Sequence, residues 1–244
     1  MNPAGERIDF TFHPAPRRDT LVILGHGLTG NKDRPLLVAL AEGLSAKGCP
    51  CMRISYSGNG SSGGRFEDAT ITKEVGDLKA ILGGVPDYVR VAYAGHSMGS
   101  AVGVLTAARD LHISALISLA GMARTAAFVE REFGELTPGR DCMWDEPEHP
   151  LSEAFVEDMK SIGDILSAAA TVTQPWLLIH GTADDLVPIE EGRDAYAAAI
   201  SRKRLIEIDG AGHSLEEASP QIIEAMDVWL SSQFGPALIP LTAG

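Results

Sequence analysis

Ser97 lies in Gly95-His96-Ser97-Met98-Gly99, which has the spacing Gly-x-Ser-x-Gly. A serine hydroxyl is a weak nucleophile until a base takes its proton. His213, in Gly210-Ala211-Gly212-His213, offers that base, and Asp184-Asp185 offers a carboxylate to orient it. An imidazole titrates near neutrality. A carboxylate on its other nitrogen fixes the tautomer and stabilises the imidazolium. Both aspartates compete for that place. The order is serine, acid, histidine, and the chemistry such a set performs is acyl transfer through a covalent intermediate.

Acyl transfer also needs donors for the developing oxyanion. Two backbone N–H groups are expected to supply them. One belongs to Met98, at the start of the helix that follows the serine. The other belongs to Leu28 in Gly25-His26-Gly27-Leu28-Thr29-Gly30, where glycines let the chain turn back toward the serine.

These residues have to be positioned by elements. Val89 to Ala94 is a short apolar run that reads as a buried strand, and Ser100 to Ala108 reads as a helix. A strand–Gly-x-Ser-x-Gly–helix arrangement puts the serine on a sharp, exposed turn. Thr20 to Leu24 is a continuous apolar run ahead of the His26-Gly27 loop, as expected for a strand buried on both faces. Cys51 to Ser55, Ser114 to Leu119, Pro175 to Ile179 and Lys203 to Ile208 read as further strands, and Arg7 to Phe12 as an alternating one. Helical patterns cover Pro35 to Lys47, Thr70 to Leu82, Glu190 to Ile200 and Ser219 to Gln233. Thr70 or Thr72 caps the second, with Glu74 and Asp77 on its polar side, and Ser219 caps the last. Alternating strands and helices imply a parallel sheet covered on both faces. The serine, the acid and the histidine each follow a strand, so all three converge at one edge of that sheet.

The rhythm breaks between Gly121 and Thr173, a segment longer than one crossover helix needs. It is expected to form a small cap over the site, with helical patterns at Ser152 to Met159 and Ile162 to Ala170. Met122, Phe128, Phe133, Met143 and Trp144 are its candidate apolar lining. His26 and Gly27 are candidate substrate contacts on the opposite loop. Tyr56 to Gly64 is glycine-rich but lacks the Gly-Lys-Ser/Thr ending of a phosphate loop. It reads as a surface turn beside the site. The chain from 1 to 234 reads as one domain, with 121–173 as the cap and Gly235 to Gly244 as a loose tail.

Composition bounds the partners. The 244 residues are 45% hydrophobic and 22% charged, an ordinary globular balance. The net charge of −13 argues against nucleic acid, and no apolar run is long enough to span a bilayer. It also disfavours strongly anionic substrates, leaving uncharged esters with small or medium acyl groups. Cys49, Cys51 and Cys142 are too few and too uneven for a disulfide framework and read as free thiols. With no apolar stretch in Met1 to Arg7, a cytoplasmic location is expected. No Cys/His cluster has metal-ligand spacing, so neither metal nor cofactor is expected.

Taken together, the motifs resemble those of the α/β-hydrolase superfamily over nearly the whole chain, from Arg7 to Phe234. His26-Gly27-Leu28-Thr29-Gly30-Asn31-Lys32, Gly95-His96-Ser97-Met98-Gly99, His180-Gly181-x-x-Asp184-x-x-Val187-Pro188 and Gly210-x-Gly212-His213 are similar to the cinnamoyl/feruloyl esterase-like branch. That branch lies close to serine aminopeptidase-like and monoacylglycerol lipase-like hydrolases. The resemblance implies an α/β fold with a mostly parallel central sheet, and a carboxylic-ester hydrolase with Asp184 as the acid and Leu28 and Met98 as oxyanion donors. Leu28 stands where that branch often has Phe, and the cap carries no motif of a feruloyl-binding pocket. A thioesterase, a monoacylglycerol lipase, a peptidase, or a binding protein of low turnover would use the same framework.

Overall fold

The computed structural model describes residues 1–235. Apart from Gly235, the tail expected to be loose lies outside the described residues. Seven strands form one sheet: β1 (Asp9–His13), β2 (Thr20–Gly25), β3 (Cys51–Ser55), β4 (Arg90–His96), β5 (Ile113–Leu119), β6 (Trp176–Gly181) and β7 (Lys203–Ile208). Their order is β1-β3-β2-β4-β5-β6-β7. Only the β1–β3 pairing at one edge is antiparallel; the others are parallel. Every residue of β2 and β6 is buried, which is why Leu21 to Leu24 and Trp176 to Ile179 run apolar without alternating.

The helices are α1 (Pro35–Ala46), α2 (Ile71–Leu82), α3 (Met98–Ala107), α4 (Thr125–Phe133), α5 (Glu153–Ile162), α6 (Leu166–Ala169), α7 (Ile189–Ala198) and α8 (Ser219–Phe234). They cover both faces. Leu36, Leu37, Leu40 and Leu44 of α1 and Ile222, Met226 and Trp229 of α8 pack with Val22, Leu24 and Ile117 on one side. Leu78 of α2, Val102 of α3 and Ala195 of α7 pack with Ile23, Tyr93 and Leu116 on the other.

Two local expectations are corrected, and the choice between two caps is resolved. Glu74 and Asp77 do not face solvent; both are buried. Asp77 accepts from Asn2 Nδ2 and from the Ser57 backbone N–H, each at 2.7 Å. Charges at helical spacing imply a wet face, but the N-terminal segment and the β3–α2 turn cover Asp77, and Glu74 lies buried near Tyr56 and Asp158. The cap of α2 is Thr70, whose side chain accepts from Lys73 N at 3.1 Å. Ser219 makes no capping bond: α8 enters from Ala218, with Pro220 in its first turn.

The 121–173 segment divides between two places. Phe155, Met159, Ile165 and Ala169, from α5, α6 and the turn between them, join the core on the α2–α3 side of the sheet. α4 and a single 3-10 turn, Met143–Asp145, stand over the C-terminal ends of the strands. The segment is tied to α7 by Glu191, whose Oε2 accepts from Ala123 N at 2.7 Å and Arg124 N at 2.9 Å.

Candidate active site

Ser97 stands between β4 and α3 with φ 54° and ψ −120°. A non-glycine residue rarely takes positive φ, and such strain persists only where the surroundings impose it. Here they do. The Ser97 N–H is held by Leu119 O at 2.9 Å. A Cβ on Gly95 would lie 2.2 Å from Gly99 O, and one on Gly99 would lie 2.4 Å from His26 O. Only glycine fits at either position, so the spacing around the serine follows from backbone contact. Because α3 begins at Met98, that residue's N–H is one of the unpaired donors of a helix start.

The loop after β2 comes to within contact of this turn. A Cβ on Gly27 would sit 2.8 Å from Ser97 Cβ. His26 sets the loop's course. Its Nε2 accepts from Tyr56 N at 3.0 Å, so Nδ1 carries the proton and donates to Gly27 O at 2.8 Å. Burial pushes its pKa down to about 4, so the ring stays neutral and keeps this tautomer. Tyr56 is fully buried, so the turn read as surface begins in the core. Its first two N–H groups are taken by His26 and Asp77. Among the described residues, the N–H groups of Leu28 and Met98 donate to no protein acceptor, as an oxyanion pair requires.

Asp184 follows β6. Its Oδ1 accepts from Leu186 N at 3.1 Å and Val187 N at 2.8 Å. Its Oδ2 accepts from His213 Nδ1 at 2.9 Å and lies 3.2 Å from His180 Nε2. That second nitrogen points its N–H at Val187 O, 2.9 Å away. Burial opposes the charge on Asp184, but the two imidazoles and the Val187 N–H outweigh it and hold the carboxyl well below the usual range. Asp185 is exposed. With its Nδ1 proton given to Asp184, His213 presents a bare Nε2, the tautomer a general base needs. Ser97 Oγ makes no hydrogen bond among the described residues. It and the His213 ring line one cleft of about 410 Å³.

That cleft also receives His26, Gly27, Leu28, Phe128 and Trp144. It does not receive Met122 or Phe133. Met122 is wholly buried, and its backbone N–H is spent on Ser97 O at 3.2 Å. Phe133 packs edge-on behind Trp144, ring centres 5.0 Å apart, and edge-on against Phe128 and Phe155 at 6.0 and 6.4 Å. Met143 is likewise buried. Helix and turn direction sorted these apolar residues between cleft and core, and neither is visible in composition. The sequence reading passed over Leu36, Leu37, Leu186, Arg34, Glu146, Glu216 and His96, all of which line the cleft. Leu36 and Leu37 carried one available signal: they stand in the first turn of the helix that follows the Leu28 loop. Among the described residues no group of three or more His, Cys, Asp or Glu side chains could hold a metal ion. Among them, too, no helix is long and apolar enough to cross a membrane.

The chain is similar to known proteins over most of its length. Residues 21–225 match the model of the alpha/beta hydrolase family. An uncharacterized protein of Mycobacterium tuberculosis is 30% identical over 196 residues, which are 79% of this chain and 62% of that protein. The chain therefore spans about three fifths of the length of that relative. The mitochondrial palmitoyl-protein thioesterase ABHD10 of Pongo abelii is 25% identical over 166 residues, 62% of this chain and 52% of that one. Among solved structures, Est1E from Butyrivibrio proteoclasticus with bound ferulic acid superimposes with a TM-score of 0.84. It is 26% identical and covers 94% of this chain and 96% of its own.

Proposed function

The chain belongs to the alpha/beta hydrolase family, and from that premise we propose that it is a serine hydrolase cleaving carboxylic esters through an acyl-enzyme. The observation that carries this reading is the 2.9 Å bond from His213 Nδ1 to buried Asp184, with Ser97 on the same cleft. His213 Nε2 takes the Ser97 proton as Oγ attacks the ester carbonyl. The tetrahedral oxyanion accepts from Leu28 and Met98 N–H. As it collapses, His213 returns the proton to the departing alcohol, and Asp184 balances the imidazolium throughout. Water, activated by His213, then releases the acid. The apolar side of the cleft, formed by Leu28, Leu36, Leu37, Phe128, Trp144 and Leu186, suits an uncharged acyl or aryl group. The ferulic acid on Est1E supports the aryl choice.

A second reading, thioester hydrolysis, is favoured by the similarity to a palmitoyl-protein thioesterase. The same triad serves either bond. Matched oxygen and sulfur esters of one acyl group, compared by kcat/KM, separate the two. The parent reading is tested by Ser97→Ala with an activated aryl ester. Residual turnover should reflect only binding and the oxyanion donors, and a serine-directed phosphonate should label Ser97 in the wild type. A variant retaining more than about a tenth of wild-type kcat would refute the nucleophile.

A further inference from the structure

The loop carrying His213 is pinned upstream, by Ala183 N to Ala211 O at 3.0 Å and by Gly210 N to Thr182 Oγ1 at 2.9 Å, but neither bond holds His213 itself. Gly210, at φ +70°, and Gly212 precede it, and glycine leaves the backbone more freedom than any other residue. Asp184 fixes one nitrogen of the ring but nothing of the main chain. Among the described residues, the His213 backbone makes one hydrogen bond. Its carbonyl oxygen accepts at 2.9 Å from Nε2 of His96. A carbonyl has no proton to give, so His96 carries its own on Nε2. The two rings also face each other, centres 5.0 Å apart and tilted by 46°.

His96 is the residue before Ser97 and the last of β4. Its backbone is paired in the sheet opposite Leu119. The residue next to the nucleophile and the base, 117 residues apart in the chain, are therefore joined through one side chain rooted in the sheet. Building on the serine hydrolase reading, we infer that His96 is a positioning residue: its Nε2–H clamps the His213 carbonyl and its ring backs the His213 ring, setting the base against Ser97 before substrate arrives. The ring can serve this purpose without competing for protons. Burial, and then the neighbouring His213, push its pKa down to about 3. Of the other titratable or charged groups, Asp184 after β6 contacts His213, and Arg34, Glu146 and Glu216 line the same cleft.

The distance between a base and its nucleophile is costly to lose: a displacement of about 1 Å lowers rates on the order of a hundredfold. Two full-length variants separate the clamp from mere packing. His96→Phe keeps an aromatic ring and removes the donor; His96→Gln keeps an N–H at similar reach. With p-nitrophenyl butyrate, His96→Phe should lose kcat by up to about a hundredfold, with KM within about twofold. His96→Gln should recover most of the loss. Equal losses in the two variants, or wild-type kcat in His96→Phe, would overturn the inference. Two measurements do not depend on turnover. Amide exchange over 210–215 should quicken in His96→Phe and stay near wild type in His96→Gln; unchanged exchange in His96→Phe counts against the clamp. Nitrogen-15 imidazole spectra of the wild type should report His96 as the Nε2–H tautomer. The Nδ1–H tautomer would refute the inference even if neither variant folded. Absent esterase activity, or activity that survives Ser97→Ala, would sink the parent reading while these two measurements still decide the clamp.

Discussion

Asp184 and Asp185 are chemically identical neighbours in different surroundings. Asp184 is enclosed by two backbone N–H groups and two imidazoles, whereas Asp185 is exposed. Asp184→Asn should cost kcat on the order of 10³ or more, because an amide can favour the wrong His213 tautomer. Asp185→Asn should stay within a few-fold of wild type. Steady-state kinetics on the two variants decides, and a larger loss at Asp185 would reverse the assignment. The sign of the stability effect follows from the depressed pKa of Asp184. A carboxyl held low in the fold contributes stability above its unfolded value of about 3.9, and that contribution is lost as pH falls through the lower folded value. Melting curves of the wild type should fall more steeply below that point than those of Asp184→Asn.

At the scale of elements, the turn Met143–Asp145 brings Trp144 to the cleft, beside Phe128 from α4. Trp144 and Asp145 both take positive φ, 51° and 60°. Trp144 remains 39% exposed although Phe133 packs against it. The two aromatics therefore do different things, and their removal should be felt in different assays. Trp144→Ala should raise KM for aryl esters and leave acetyl esters nearly unchanged, since lost ground-state contact acts on KM. Phe133→Ala should cost about 3–5 kcal/mol of stability, as a buried phenylalanine does, and change KM less. Denaturant unfolding combined with kinetics on both variants tests the division. An unaltered KM for every ester in Trp144→Ala would remove that residue from the pocket.

Across the whole molecule, the strands' C-terminal ends carry the cleft, and a buried acidic layer lies behind it. Tyr93 Oη donates to Gly99 O at 2.8 Å and accepts from Tyr56 Oη, bracing the first turn of α3. Glu74 is buried near them, and among the described residues its Oε2 has no hydrogen-bond partner. Burial, and then the nearby Asp77 and Asp158, raise its pKa well above the ordinary value. The fold therefore retains a proton that the unfolded chain releases near pH 4.3, and stability falls as pH rises from there toward the raised folded value. Glu74→Gln removes this dependence. It should melt higher than wild type at pH 7, by a margin equivalent to about 1–3 kcal/mol, and the difference should shrink toward pH 4. Calorimetry at both pH values checks this; a lower melting temperature for Glu74→Gln at pH 7 would contradict it.

Much of this molecule was legible before any coordinates. Apolar runs such as Thr20 to Leu24 mark strands because a parallel sheet buries both faces. The glycines around Ser97 mark its turn because backbone contact leaves no room for a side chain. The order of Ser97, Asp184 and His213 after three strands marks one sheet edge. These are local or periodic properties, written in consecutive residues. Other features depend on what approaches from elsewhere in the chain. Glu74 and Asp77 have a polar helical pattern, yet the N-terminal segment and the β3–α2 turn bury Asp77, and Glu74 is buried near Tyr56 and Asp158. Met122, Phe133 and Trp144 are all large side chains with apolar surface, but helix and turn direction left only Trp144 at the cleft. His96 reads as the variable position of its motif. Its hold on His213 exists only because folding brings the end of β4 and a loop 117 residues further along the chain within a hydrogen bond.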